Sequence, residues 1–250
     1  MNTTSTTSDR MEEPEFREKM IFLDRVCESF LRGVTACFLM STRSRSLSED
    51  SLSLRLTDDY IQSAVSIRAM AMNGAHDPAK RELRFLLEAS VKYLLVDQRL
   101  PSSSFSDKLQ FLKDKVPRSS VDIVDELALS GLPAAEQVLL KSEVKDVYAK
   151  LSAFVHPSIA QIQEDVSRYS RGEYLGFESA RDVERFAENS FRVFDIVLVL
   201  LFHGVGLGLA GDIFTAALDS VSDWKFHKGK YTQVLSRHFD YKVERKRTES

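Results

Sequence analysis

"AKRELRFLLEASVKYLLVD", residues 79–97, decides the fold class. At about 100° per residue, Arg84, Glu88, Val91 and Leu95 fall within about 60° of one another on one side of a helix, and Leu83, Leu87 and Leu94 continue that sector. A half-buried strand would instead alternate. Pro78 suits the first turn of this helix, which ends near "RLPSSS". On the N-terminal side, Phe16, Met20, Leu23, Cys27, Phe30, Leu31, Val34 and Phe38 recur at three and four, predicting a long amphipathic helix from Glu15 to about Met40. Another runs from about Asp58, capped by Thr57 or Asp58, through Ile61, Ala64, Val65 and Ala69 to the Asn73-Gly74 stop. On the C-terminal side, short helices are expected at Phe105 to Lys115 and Ser120 to Leu129. The Gly131 to Pro133 turn follows, then a helix from Ala134 towards Val155. No stretch alternates as a strand and no repeat period is visible, so the fold class is all-α.

A chain of 250 residues with 43% hydrophobic content can bury a substantial core without staples. Its formal charge of -3, from 34 basic and 37 acidic residues, excludes a chain-wide attraction to nucleic acid, so any such site is local. Cys27 and Cys37 are expected on one helix, about 15 Å apart and beyond the roughly 6 Å a disulfide tolerates. They read as free core thiols in a reducing compartment, which places the chain in the cytoplasm. "MNTTSTTSDRMEEP", residues 1–14, lacks the apolar run of a signal or anchor and reads as a disordered leader. Residues 15–220 form the bundle, with "STRSRSLSEDSLSL" inside a mobile loop at 41–57, and residues 221–250 a basic C-terminal extension. "IVLVLLFHGVGLGLAG", Ile196 to Gly211, is interrupted by His203 and glycines and falls short of the ~20 residues of a spanning helix. It reads as a buried core helix, with no stable membrane insertion.

Polar residues at the edges of the apolar stripes supply the candidate site. Arg84 four residues before Glu88 is the less favourable order for an isolated helix, so a semi-buried pair that orients something else fits better than local helix stabilisation; a surface pair whose stems cover the core is the plainer reading. Along the helix that carries "DVYAKLSAFVHPS", residues 146–158, Val144, Val147, Tyr148, Leu151 and Val155 form an apolar face. Tyr148, Ser152 and His156 follow one edge at intervals of four, while Lys150 points to the far side. Because Pro157 disfavours the α region at His156, the helix is expected to end or kink there, with the imidazole at the negative end of the dipole. A histidine in that place binds phosphate, pairs with a carboxylate such as Glu88, moves protons, or simply caps terminal carbonyls.

The pieces "AKRELRFLLEASVKYL" and "VYAKLSAFVHPS" resemble the HEPN-like helical domains of bacterial toxin–antitoxin and antiphage systems, in which an "RxLxE" helix precedes a helix ending in "Y…LS…H". The similarity covers about residues 58 to 200. It implies an up-and-down bundle, often a homodimer with the polar motif near the dimer cleft. Catalytic members carry an arginine four to six residues before the histidine. Their metal-independent reaction sends a 2′-hydroxyl at the adjacent phosphate, with histidine as acid/base and arginine holding the developing charge. Here Lys150 stands six before His156 and Leu151 follows; lysine keeps the charge without the planar grip. Arg84 is the candidate substitute, giving a hypothetical site of Arg84, Glu88, Ser152 and His156.

"GVGLGLAG", Gly204 to Gly211, has no preceding strand and reads as close helix packing rather than a dinucleotide loop, so no cofactor is expected. His76, His203, His227 and His238 lack metal-ligand spacing, so no metal is expected. Near the C-terminus, Arg237, Lys242, Arg245, Lys246 and Arg247 lie among aromatics, a pattern suited to a nucleic-acid backbone or to a solvated helix end. The favoured expectation is a HEPN-like interaction module that binds RNA or a partner protein of a defence or toxin–antitoxin pair, is weakly or not catalytic, and forms a homodimer. The alternatives are an endoribonuclease using His156 with Arg84 or Lys150, and a helical scaffold without nucleic-acid contact.

Overall fold

The computed structural model describes residues 10–43, 45–118, 121–155, 159–172 and 178–239. Among them every regular element is helical, so the all-α class holds. In chain order the α-helices are α1 (Pro14–Ser41), α2 (Arg45–Asp50), α3 (Leu52–Arg55), α4 (Thr57–Met72), α5 (His76–Arg99), α6 (Phe105–Lys115), α7 (Ala134–Ser152), α8 (Ile159–Ser170), α9 (Ala180–Val205), α10 (Leu207–Ile213) and α11 (Lys230–Arg237). The long helices α1, α4, α5 and α9 form a ring, each packed on the next, and α9 closes it against α1.

The ring follows from the apolar stripes. On α1 the inward residues are Phe16, Met20, Leu23, Cys27, Phe30 and Val34, after which the stripe continues through Cys37 while Phe38 is 47% exposed. A step of three after a step of four keeps a 3.6-residue helix on its face; two steps of four drift off it. Gly33 lets α1 and α9 come close, since a Cβ there would lie 2.7 Å from Leu198 Cδ2, and Phe30 stacks on Phe194 at 4.2 Å between centroids. Both cysteines lie unpaired and buried on α1, where burial pushes the Cys27 thiol up to about 12. The link from α4 to α5 is only Asn73 to Ala75, with Gly74 at φ 74°, which turns the chain back as a helical hairpin.

Helix α9 begins with a capping box between Ser179 and Asp182 and carries the apolar run into the centre, where Val193 to Phe202 are all buried. Among the described residues no single helix is long and apolar enough to cross a membrane; α9 and the helical stretch after it pass on composition only as a pair, bent by 120°. The bend sits at Gly206, whose φ of 86° ends the expected 196–211 helix at Val205. Gly204 gives close packing, as a Cβ there would lie 3.0 Å from Ser53 Cβ.

Several segments differ from the sequence reading. Within 41–57, where serines and charges suggest a mobile loop, α3 buries Leu52 and Leu54, and Asp97 of α5 holds its start. That carboxylate accepts from Ser51 Oγ (2.9 Å), Leu52 N (2.8 Å) and Ser53 N (2.9 Å). It also pairs at 3.0 Å with Lys108, whose side chain is 3% exposed. Residues 221–239, read as the start of a basic extension, pack into the bundle through Trp224, Phe226, Tyr231 and Leu235. Asp195 of α9 receives the first amides of α11, Tyr231 N at 2.8 Å and Thr232 N at 3.0 Å. Of the helix expected over Ser120 to Leu129, the described residues 121–129 show only a short 3-10 turn, Asp122–Glu126. Of the expected leader, residues 1–9 lie outside the described residues, while Arg10 bonds to Glu178 O and α1 begins at Pro14.

Candidate functional site

The seam between α5 and α7 gathers the off-pattern polar groups. Arg84 Nε donates to Ser152 Oγ at 3.0 Å and its Nη2 to Tyr148 Oη at 2.5 Å, with the guanidinium 4.6 Å from the centre of the Tyr148 ring. The Tyr148 hydroxyl donates in turn to Glu88 Oε2 at 3.0 Å, and Arg84 Nη2 stands 3.5 Å from the same oxygen. The other Glu88 oxygen pairs with Lys92, whose ammonium also donates to Arg118 O at 2.7 Å. Arg84 and Glu88 are semi-buried, 17% and 13% exposed at the side chain. Their spacing serves a contact between helices, because both reach across to Tyr148 rather than stabilising α5 alone. Burial, followed by the nearby Glu88 charge, pushes the Tyr148 phenol above its usual range and keeps it a neutral donor.

Helix α7 stops at Ser152, a turn short of the expected end at His156. Ser152 Oγ donates back to Tyr148 O at 2.7 Å, and the turn after it is tied to α5, with Arg81 Nε bonded to Phe154 O and the Lys80 ammonium 3.8 Å over the Phe154 ring. The turn thus continues along α5 and its row of cations. His156 lies outside the described residues. Of the sequence-derived site residues, Arg84, Glu88 and Ser152 converge. Lys150 does not join them: it is 67% exposed at the side chain and pairs with Asp146 at 2.9 Å.

Two cavities lie beside the helices of the seam, one against α5 and one against α7. One of about 430 Å³ lies between α5 and the end of α6 and shares Arg84 and Glu88 with the seam. The other, of about 200 Å³, is lined by Lys80, Lys150, Phe154, Glu164, Arg185 and Arg192. In the second, each cation meets a carboxylate: Lys80 with Asp77 (2.9 Å), Arg185 with Asp182 (2.9 Å), and Arg192 with Glu143.

Sequence reasoning placed Tyr148 on the right edge of α7 without giving it a role, and passed over Lys92, although Arg84, Glu88 and Lys92 form a visible ladder at intervals of four. Arg237, the last residue of α11, is exposed beside a cavity of about 420 Å³ lined by Ser130, Pro133 and His238. Lys242, Arg245, Lys246 and Arg247 lie outside the described residues. His203 serves the fold, with Nδ1 donating to Val199 O at 2.7 Å and Nε2 accepting from Gly131 N at 3.2 Å.

Fold and site together define an all-α protein built on a four-helix ring, with a semi-buried guanidinium–tyrosine–carboxylate cluster where a flanking helix meets it. Comparison of the chain with protein-family models, with curated proteins and with solved structures returns no match.

Proposed function

We propose that the chain is a HEPN-like helical interaction module, a cytoplasmic, dimeric subunit of a bacterial defence or toxin–antitoxin system that binds RNA or a partner protein without robust catalysis. The observation that carries this reading is the clamp on Arg84. Ser152, Tyr148 and Glu88 hold a guanidinium at the end of α7, and His156 follows Ser152 by four residues in the sequence, as in the polar motif of the resembling domains. Two features favour binding over turnover. Lys150, the residue six before His156, is engaged with Asp146 on another face. Arg84 already spends Nε and Nη2 on fixed partners, so it is rigid and pre-oriented as a recognition group.

The second reading, a metal-independent endoribonuclease, draws on the same geometry: Arg84 stands beside Ser152 in place of the missing motif arginine. Purified protein is incubated with labelled RNA in EDTA beside a His156→Ala variant. The favoured reading expects no cyclic-phosphate ends, and association with RNA or a co-purifying protein that weakens in Arg84→Ala. Cleavage that disappears in His156→Ala transfers the assignment to the ribonuclease. Absence of both cleavage and association leaves a helical scaffold.

A further inference from the structure

Helix α8 lies on the bundle with its faces reversed. An amphipathic surface helix normally buries its apolar side, yet Ile159, Ile162, Val166 and Tyr169 are each more than half exposed. Glu164 and Arg168, one turn apart, are instead turned onto the starts of α5 and α9, where they line a small cavity with His76, Lys80, Asp182 and Arg185. Three cations there face two carboxylates. Arg185 takes both, Glu164 at 3.3 Å and Asp182 at 2.9 Å, while Lys80 lies 3.8 Å from Glu164 and pairs with Asp77 at 2.9 Å. Arg168 forms no ion pair among the described residues, and its Nε is buried without a hydrogen-bond partner. The same holds for Nε2 of His76, whose ring is 4% exposed and stacked on Phe186. A buried N–H without an acceptor is costly, so two such groups lining one cavity call for a shared partner. The start of α5 adds to the positive potential, since no side chain caps it. Glu178 lies against Gly74, in the turn before α5, and does not line the cavity.

We infer that this cavity binds one small monovalent anion of the chloride class, held by Arg168 Nε–H and by His76 with its ring proton on Nε2. The volume of about 20 Å³ exceeds the roughly 10–15 Å³ that a single water needs, and it is too small for a tetrahedral oxyanion or an organic ligand. A water could serve both nitrogens but would leave the third cation without a counter-charge. A halide accepts from both N–H groups and supplies that charge. Burial, followed by the charges of Arg168 and Lys80, keeps the imidazole neutral at neutral pH, so His76 brings an N–H rather than a further positive charge. The ion thereby pins the polar side of α8 to α5 and α9. The inference stands apart from the function proposed above and does not depend on it.

The NMR line width of chloride in the presence of the full chain tests it, at neutral pH and constant ionic strength. The excess width is expected to follow a single-site binding curve and to be displaced by bromide but not by sulfate, which the cavity cannot hold. In isotope-labelled wild type the His76 ring nitrogens are expected to show a protonated Nε2 and to shift with the same midpoint, which locates the site without any variant. Arg168→Met deletes the N–H, and His76→Phe keeps the stack on Phe186; each is expected to weaken chloride about tenfold or more. Arg171→Met, at an exposed arginine just after α8, is expected to leave it unchanged. A wild type without single-site broadening, which would leave the cavity to water, overturns the inference. So do displacement by sulfate as readily as by bromide, a His76 ring that does not respond, and folded variants that bind chloride unchanged. If a variant loses its helical circular-dichroism spectrum, the sulfate and His76 measurements on the wild type decide.

Discussion

Polar groups are buried in this bundle in two ways, and the contrast between them separates scaffold from site. At Asp97, Asp195 and Glu143 a carboxylate is the hub, and its oxygens are filled by donors from other helices. Glu143 of α7 collects Lys230 and Tyr231, each at 2.6 Å, together with Arg192. Burial works against its charge, but those three hydrogen bonds outweigh it and hold the carboxyl below its usual range. In the seam between α5 and α7 the hub is Arg84, a group with five N–H donors, of which Nε and Nη2 are spent and Nη1 has no partner among the described residues. Saturated hubs join helices and do no more. An unsaturated cation beside an open cleft has capacity left for a ligand.

The largest expected effect breaks a saturated hub. Asp97→Ala strands Lys108 as an unpaired buried cation and releases the start of α3, so urea unfolding monitored by circular dichroism is expected to lose about 4 kcal/mol. A loss under about 1 kcal/mol would mean that water reaches Lys108, and the distinction between the two kinds of hub fails there. Next is a pH effect at His76, stacked on Phe186 and 4% exposed. Burial, then the Arg168 and Lys80 charges, lower its pKa to about 4, with Asp182 and Asp77 acting the other way. The unfolded chain holds the imidazole proton up to about pH 6.5, so it binds more protons than the fold between the two values. Stability from this group is present above about pH 6.5 and drains away as pH falls towards 4, by about 3 kcal/mol in all. His76→Phe is expected to flatten that part of the stability profile; an unchanged slope assigns the acid sensitivity elsewhere.

What was legible in the sequence follows the same division. The stripes of α1, α4, α5, α6 and α7 were readable because apolar periodicity over many turns outweighs local exceptions. The segment at 41–57 was misread because its order comes from Asp97, far away in the chain, while its own serines signal only a loop. Residues 221–239 differ from the reading for a related reason: aromatics among basic residues suit a nucleic-acid surface as well as a core, and only the fold shows Trp224, Phe226, Tyr231 and Leu235 buried. In the seam, Arg84, Glu88 and Ser152 betrayed themselves by standing at the edge of apolar stripes. Arg168 gave no such signal. Its helix carries an apolar stripe that amphipathic reasoning places inside, and only the fold shows Arg168 facing the same space as His76.

Smaller effects probe the guanidinium hub. Arg84→Ala is expected to cost about 1 to 2 kcal/mol, since Tyr148, Ser152 and Glu88 are semi-exposed and regain water where a buried hub could not. Arg84→Lys is the sharper variant: one ammonium cannot serve Ser152, Tyr148 and Glu88 in the planar geometry of the fork. Stability falls by about 1 kcal/mol while RNA or partner association weakens nearly as much as in Arg84→Ala.

Lys150→Ala is the smallest effect and tests the comparison most directly. The Lys150–Asp146 pair is solvent-exposed on both sides, so its loss is expected to change stability by less than about 0.5 kcal/mol and to leave ligand association unchanged. The ribonuclease reading that uses Lys150 requires the opposite, a loss of RNA cleavage in a variant that folds normally. If Lys150→Ala and Arg84→Ala weaken association equally, α7 presents both of its sides to the ligand and Arg84 is not the distinguishing group. If only Arg84→Ala weakens it, the ligand approaches from the α5 side, where Ser152 and Tyr148 hold the guanidinium.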